Sequence, residues 1–256
     1  MMDASLVPSL AAGLSIGGAA GYLGSLMLGR RMALVAGPLG HLTLPGVALA
    51  LVLGFDVSLG AFPFVILGVG LIWLLEQRTR LPMETLTALV FATGVAIAFL
   101  VLPIQQAEAA LVGDIARTTV TDAWVTAGLC AALALVIWWR YRALVLVNVS
   151  EDLAASAGVR VRWHNLLYLL LIAVIVALGV KVVGSLLTAA LVAVPAATAR
   201  NAARNLREYA WGATAAGMLA AVTGILAGAA TGLPPGPLIV IASAALFLAS
   251  MPLASR

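Results

Sequence analysis

His41 is the residue of this chain whose position most suggests chemistry, because it lies inside a long apolar segment. The ten residues from 37 to 46, Gly-Pro-Leu-Gly-His-Leu-Thr-Leu-Pro-Gly, surround it with three glycines and two prolines. An ionisable side chain within an apolar span is by default a functional candidate, and interrupted helices are where transporters bind substrates. His41 is therefore a candidate contact on a substrate path. The alternative is a structural histidine that is hydrogen-bonded to a neighbouring helix.

Ser15 offers a second kind of chemistry. The sequence Gly-Leu-Ser-Ile-Gly at residues 13–17 matches the pattern of serine hydrolases, which requires a strand-to-helix turn at the serine. However, Gly13, Gly17 and Gly21 follow one another at the four-residue spacing that lets membrane helices pack closely. We therefore predict a helix-packing face for these glycines. An intramembrane hydrolase that uses Ser15 and His41 is the alternative.

The sequence contains no motif for binding ATP or for holding a structural zinc ion. No glycine-rich segment ends in Gly-Lys-Ser/Thr, and the single lysine is Lys181, between two valines. One cysteine and two histidines are too few for a closed zinc site. We expect no stably bound cofactor and no enzymatic activity, so any energy must come from a partner or a gradient.

The composition determines the surroundings in which these residues act. Of the 256 residues, 63% are hydrophobic and 9% are charged, whereas a soluble domain has about 25% charged residues. Lipid must cover this much apolar surface, and continuous apolar runs favour helices over an alternating β-barrel. The basic residues lie in short clusters between these runs, so we expect no nucleic-acid partner. The sequence predicts an all-α integral membrane protein in a lipid bilayer.

Apolar runs of spanning length, roughly 20 residues each, repeat along the whole chain. We predict about nine transmembrane helices, with eight as the alternative because the break near Lys181 is weak. The runs cover residues 6–28, 32–53, 58–75, 85–102, 123–139, 164–180, 182–199, 210–232 and 237–254. With alternating spans, twelve of the fourteen Lys and Arg residues lie on one side, which places the N-terminus outside and the C-terminus in the cytoplasm. One transmembrane domain over residues 1–256 accounts for the sequence.

A short cytoplasmic helix is predicted near residues 150–159. Ser150 is a typical N-cap, Glu151 and Asp152 occupy the first turn, and Gly158 follows the end. A capped helix between two spans favours docking to a partner. A turn at the membrane interface is the alternative.

Several stretches together resemble one family, the permease subunits of ABC importers for zinc, manganese and iron. The sequence His-Leu-Thr-Leu-Pro-Gly-Val-Ala-Leu-Ala at 41–50 is similar to the second-helix signature of that family. The segment 183–200, with its Pro-Ala-Ala-Thr-Ala ending, and Leu-Pro-Pro-Gly-Pro-Leu-Ile-Val at 233–240 are similar to two further signatures. Leu-Val-Gly-Asp-Ile at 111–115 also fits. The resemblance covers nearly the whole chain, and the segments follow in the family's order.

This resemblance implies partners and an energy source. A permease of this family works in the bacterial inner membrane as a homodimer or paired with a second permease. It works with a separate ABC ATPase, which alone binds ATP, and with an extracytoplasmic metal-binding protein. The helix near 150–159 would be the cytoplasmic coupling helix. Its Glu151, Ala154 and Gly158 match the family pattern, while Ala157 replaces a usual leucine.

The resemblance also implies a metal path, from which this chain departs at one position. The family commonly has an aspartate four residues before the signature histidine, where this chain has Gly37. His41 would contact the ion in transit, and a carboxylate from elsewhere, Asp56 or Asp114, would have to help. We expect a divalent transition metal as substrate, zinc ahead of manganese and iron. The same machinery with an altered or non-metal substrate is the alternative, and the coupling segment argues against a passive channel.

Overall fold

The computed structural model describes residues 6–28, 36–55, 57–79, 81–101, 118–183 and 188–254. These residues form helices joined by short connections, and none of them belongs to a strand. The helices are α1 (Leu6–Met27), α2 (Ala36–His41), α3 (Leu44–Leu53), α4 (Val57–Arg78), α5 (Met83–Val101), α6 (Val120–Val149), α7 (Glu151–Ser156), α8 (Val161–Val183), α9 (Thr188–Ala202), α10 (Leu206–Thr231) and α11 (Pro235–Ser250). The all-helical class predicted from composition is confirmed for this part of the chain.

Six stretches of the described helices are long and apolar enough to cross a membrane: they lie in α1, α4, α6, α8 and α10, and in α11 together with the 3₁₀ turn Met251–Leu253 that follows it. The remaining predicted runs are also helical. The run 32–53 is divided into α2 and α3, and α9 has 15 residues with Pro195 inside it. α5 has 19 residues, and its stretch Met83–Ile97 is a shorter apolar helix. These lengths agree with a multi-pass membrane protein; nine spans and an external N-terminus stay predictions.

The described helices form two compact units. The first contains α1, residues 120–139 of α6, residues 190–202 of α9, α10 and α11. The second contains α2 to α5, residues 140–149 of α6, α7 and α8. The segment around His41 and the short helix α7 therefore belong to the same unit.

In the first unit, glycines bring the backbones of α1 and α10 into contact. A methyl group at Gly17 would lie 2.9 Å from the carbonyl carbon of Gly217, and one at Gly21 would lie 2.7 Å from that of Ala213. Gly13 lies on the same face of α1, and there too a methyl group would meet a side chain of α10. Small residues at four-residue spacing permit this approach because no side chain separates the two helices.

In the second unit, α3 and α4 approach each other equally closely. A methyl group at Gly46 would lie 2.7 Å from the carbonyl carbon of Gly60, and one at Gly60 would lie 2.9 Å from that of Gly46. The fully buried side chains of Leu169 and Ile172 place α8 in the core of this unit. Close contact with α4 fixes the position of α3, which begins three residues after His41.

Candidate functional site

His41 is the last residue of α2, and the helix is interrupted directly after it. Leu42 and Thr43 form a turn before α3 begins. The Thr43 backbone N–H donates to the carbonyl oxygen of Gly40 at 3.3 Å, and the buried Thr43 hydroxyl donates to the same oxygen. Pro45 lies in the first turn of α3, where its missing N–H costs no helical hydrogen bond. The glycine- and proline-rich sequence therefore interrupts the helix at the histidine itself.

The imidazole of His41 lies against α5 and is only partly buried. Its ring centroid is 5.3 Å from that of Phe91, with the two ring planes tilted by 46°. A neutral imidazole nitrogen is a good ligand for transition metals such as zinc and copper, and also for iron and nickel. A single such ligand holds an ion weakly, as conduction requires, since the ion must leave as well as enter.

Leu42 anchors the interruption beside His41. Its side chain is buried, and its two methyl groups point at glycines on two different helices. A methyl group at Gly68 of α4 would lie 2.6 Å from Leu42 Cδ1, and one at Gly94 of α5 would lie 2.6 Å from Leu42 Cδ2. We name these three residues the Leu42 anchor. The sequence analysis missed it, because an isolated glycine in an apolar run carries no pattern that names its neighbour.

The carboxylates predicted to assist His41 cannot be placed beside it. Asp56 and Asp114 both lie outside the described residues. Gly37, which replaces the family's usual aspartate, lies in α2 four residues before His41. Across the described ranges, no group of three or more His, Cys, Asp or Glu side chains is arranged to hold a metal ion. His41 is thus the one predicted path residue whose position the structure gives.

The segment predicted as a coupling helix forms α7. Ser150 has extended backbone angles, and its hydroxyl accepts a hydrogen bond from the Leu153 N–H at 3.3 Å, as an N-cap does. Ala154 is completely buried, whereas Glu151 is exposed at the first turn. Gly158 adopts a positive φ of 78°, which glycine tolerates without strain. The helix therefore rests on the rest of its unit through Ala154 and presents most of its other residues to the outside.

Ser15 lies in the middle of α1, where its hydroxyl donates to the carbonyl oxygen of Ala11 at 2.8 Å. A nucleophile elbow needs a strand followed by a sharp turn at the serine. Residues 6–27 are instead one uninterrupted helix. This geometry favours the packing interpretation of the glycines over the hydrolase alternative.

Comparison with known proteins identifies the family of this chain. The family described as the ABC 3 transport family matches residues 2–254. The manganese import system permease protein ScaB of Streptococcus pneumoniae is 30% identical over 260 residues, which cover 97% of this chain and 90% of that protein. The high-affinity zinc uptake system membrane protein ZnuB of Haemophilus influenzae is 28% identical, with 96% of each chain covered. A chain in the solved structure of PsaBC from Streptococcus pneumoniae in complex with Fab is 27% identical, with a TM-score of 0.86 over 100% of this chain and 95% of that one.

The chain therefore belongs to the ABC 3 transport family. The resemblance indicated by the sequence motifs is confirmed, and the protein is a multi-pass membrane permease of an ABC transporter.

Proposed function

We propose that this chain is the permease subunit of an ATP-driven importer for a divalent transition metal, with manganese ahead of zinc. More of the similar relatives carry manganese than zinc in their names, which reverses the order expected from the sequence alone. The observation that carries the proposal is the position of His41 at the interruption between α2 and α3, in a member of this family.

The mechanism we propose is alternating access driven by a separate ATPase. The partner ATPase binds and hydrolyses ATP and moves the coupling helix α7. This movement reorients the membrane helices around His41. An extracytoplasmic binding protein delivers the metal, and a second permease copy completes the path. His41 contacts the ion in transit, and the apolar walls keep its binding weak. Nine spans, with the N-terminus outside and the C-terminus in the cytoplasm, complete this arrangement.

The same machinery with a different substrate is the second candidate. One observation favours it: the described residues contain no group of three or more His, Cys, Asp or Glu that could hold a metal ion, and position 37 is glycine. A metal held by one imidazole alone loses the charge compensation that a carboxylate would give. The experiment below therefore compares several metals rather than assuming one.

Cellular metal content under metal limitation tests the proposal. We expect manganese or zinc, measured by elemental mass spectrometry, to fall severalfold in cells that lack this chain and equally in cells that carry His41→Ala. His164→Ala is the matched control, because it removes the chain's other histidine, whose Nδ1 lies 3.0 Å from the Arg160 carbonyl oxygen at the start of α8. Unchanged content of every metal, with the chain expressed and bound to its ATPase, would contradict a metal substrate. A fall with the deletion but not with His41→Ala would remove His41 from the path.

A further inference from the structure

A buried amide joins the coupling helix to two other helices of its unit. Asn165, in the first turns of α8, has only 5% of its surface exposed. Its Nδ2 donates to Glu151 Oε1 of α7 and to Glu76 Oε1 of α4, each at 3.4 Å. An amide nitrogen carries two N–H donors, so one side chain can serve both carboxylates at once. Three helices, α4 and the consecutive helices α7 and α8, therefore meet at one residue.

Asn165 occupies a position that would be costly without these partners. Burying an unpaired amide loses the free energy of its hydrogen bonds to water. Two carboxylates brought together also repel each other, and a shared donor between them offsets that repulsion. The two carboxylates therefore fix the position of the Asn165 amide, and the amide in turn keeps the two carboxylates close to each other.

A second hydrogen bond strengthens the junction of α4 and α8. One turn before Glu76, the Trp73 indole Nε1 donates to the carbonyl oxygen of Arg162 at 3.3 Å. The rings of Trp73 and Trp163 lie with their centroids 6.0 Å apart. The end of α4 and the beginning of α8 are thus joined by two hydrogen bonds, and α7 is joined to them by the hydrogen bond between Glu151 and Asn165.

We propose that Asn165 is a positioning residue that carries the movement of the coupling helix to α4 and α8. The inference rests on the proposed function, since it assumes that an ATPase moves α7. Displacement of α7 pulls on Glu151, and through Asn165 it moves Glu76 and the end of α4. The same helix α4 carries Gly60, which contacts α3, and Gly68 of the Leu42 anchor. Movement of α7 therefore reaches the helices that hold His41.

The test measures metal moved per ATP hydrolysed, in liposomes that contain the permease, its ATPase and its binding protein. Asn165→Leu fills the same space without donors, and Glu151→Ala removes one acceptor. Each should lower the ratio of manganese or zinc uptake to ATP hydrolysis by about fivefold or more, while ATP is still hydrolysed. Glu151→Gln keeps the acceptor oxygen and should restore the ratio. Glu84→Ala, which removes an exposed acid in the first turn of α5, in the same unit but outside α7, should leave it unchanged.

The double variant separates a shared contact from two independent defects. If Glu151 and Asn165 act through one contact, combining Glu151→Ala with Asn165→Leu should lower the ratio no further than either change alone. Effects that multiply in the double variant would overturn the inference. So would an unchanged ratio in Asn165→Leu, or uptake and hydrolysis that fall in equal proportion, because a purely structural role produces that pattern.

A readout that needs no metal distinguishes this inference from the proposed function. Hydrogen exchange of the amides at residues 73–79 and 161–168 is measured in the permease–ATPase complex with and without ATP. We expect ATP to change this exchange in the unmodified complex and in Glu84→Ala, but not in Asn165→Leu. A further outcome is that the unmodified complex transports neither metal while its exchange still changes with ATP and that of Asn165→Leu does not. In that case the proposed substrate is wrong and the linkage through Asn165 stands. Equal responses in Asn165→Leu and the unmodified complex would refute the linkage.

Discussion

Replacing Gly21 by alanine is expected to destabilise the first unit by about 3 kcal/mol, the upper end of the usual cost of overpacking. The added methyl group would lie 2.7 Å from the carbonyl carbon of Ala213 and 3.2 Å from the Thr214 nitrogen. Both are backbone atoms of α10, so no change of rotamer can relieve the clash. The helices α1 and α10 must move apart, and the van der Waals contact that holds membrane helices together is lost along the whole face.

Gly128→Ala is the matched control for Gly21→Ala. Gly128 lies in the part of α6 that belongs to the same unit, and a methyl group there would meet nothing within 4 Å. Both changes remove a glycine from a helix, so the gain in helix propensity is common to them. Thermal unfolding of the purified protein, followed by tryptophan fluorescence, measures the difference. Equal unfolding temperatures for the two variants would show that the glycine contact with α10 contributes no stability.

The sequence predicts the elements of this fold better than it predicts their neighbours. The small-residue face of α1 can be read from the spacing of Gly13, Gly17 and Gly21. That spacing does not say that Gly217 and Ala213 of α10 lie opposite, because α10 is rich in small residues on several faces. Apolar length likewise predicts a helical run at 32–53, and its glycines and prolines predict an interruption. The exact place of the break, directly after His41, depends on hydrogen bonds to Gly40 that only the folded chain defines.

In the candidate site, too, the features that depend on neighbouring residues can be predicted from the sequence, whereas contacts between distant residues cannot. An interrupted helix at His41 follows from nearby glycines and prolines, and the cap of α7 follows from Ser150 and the acids after it. Asn165 carries no local signal, because its two acceptors lie 14 and 89 residues away. Phe91, which faces His41, looks in the sequence like any other aromatic residue in an apolar run.

Gly68→Ala is expected to lower metal uptake about tenfold, which corresponds to about 1.4 kcal/mol, by displacing the Leu42 anchor. The new methyl group would lie 2.6 Å from Leu42 Cδ1, and Leu42 cannot turn towards α5 because Gly94 already receives its other methyl group. Leu42 must therefore shift, and His41, the preceding residue, shifts with it. Gly70→Ala is the control, since a methyl group two residues along the same helix meets nothing within 4 Å. Uptake of manganese or zinc into liposomes, normalised to ATP hydrolysis, measures both variants.

A second change tests whether Gly68→Ala acts through Leu42. Leu42→Ala alone removes both methyl groups and leaves a cavity between α4 and α5, so it should also lower uptake. Combined with Gly68→Ala it removes the clash, and the added methyl group fills part of that cavity. The double variant should then transport better than Gly68→Ala, although two unrelated defects would make it worse. Gly94→Ala combined with Leu42→Ala should likewise transport better than Gly94→Ala alone. The reason is the same, because a methyl group at Gly94 would lie 2.6 Å from Leu42 Cδ2. Uptake in the double variants below that of either glycine variant would show that Leu42 does not position His41.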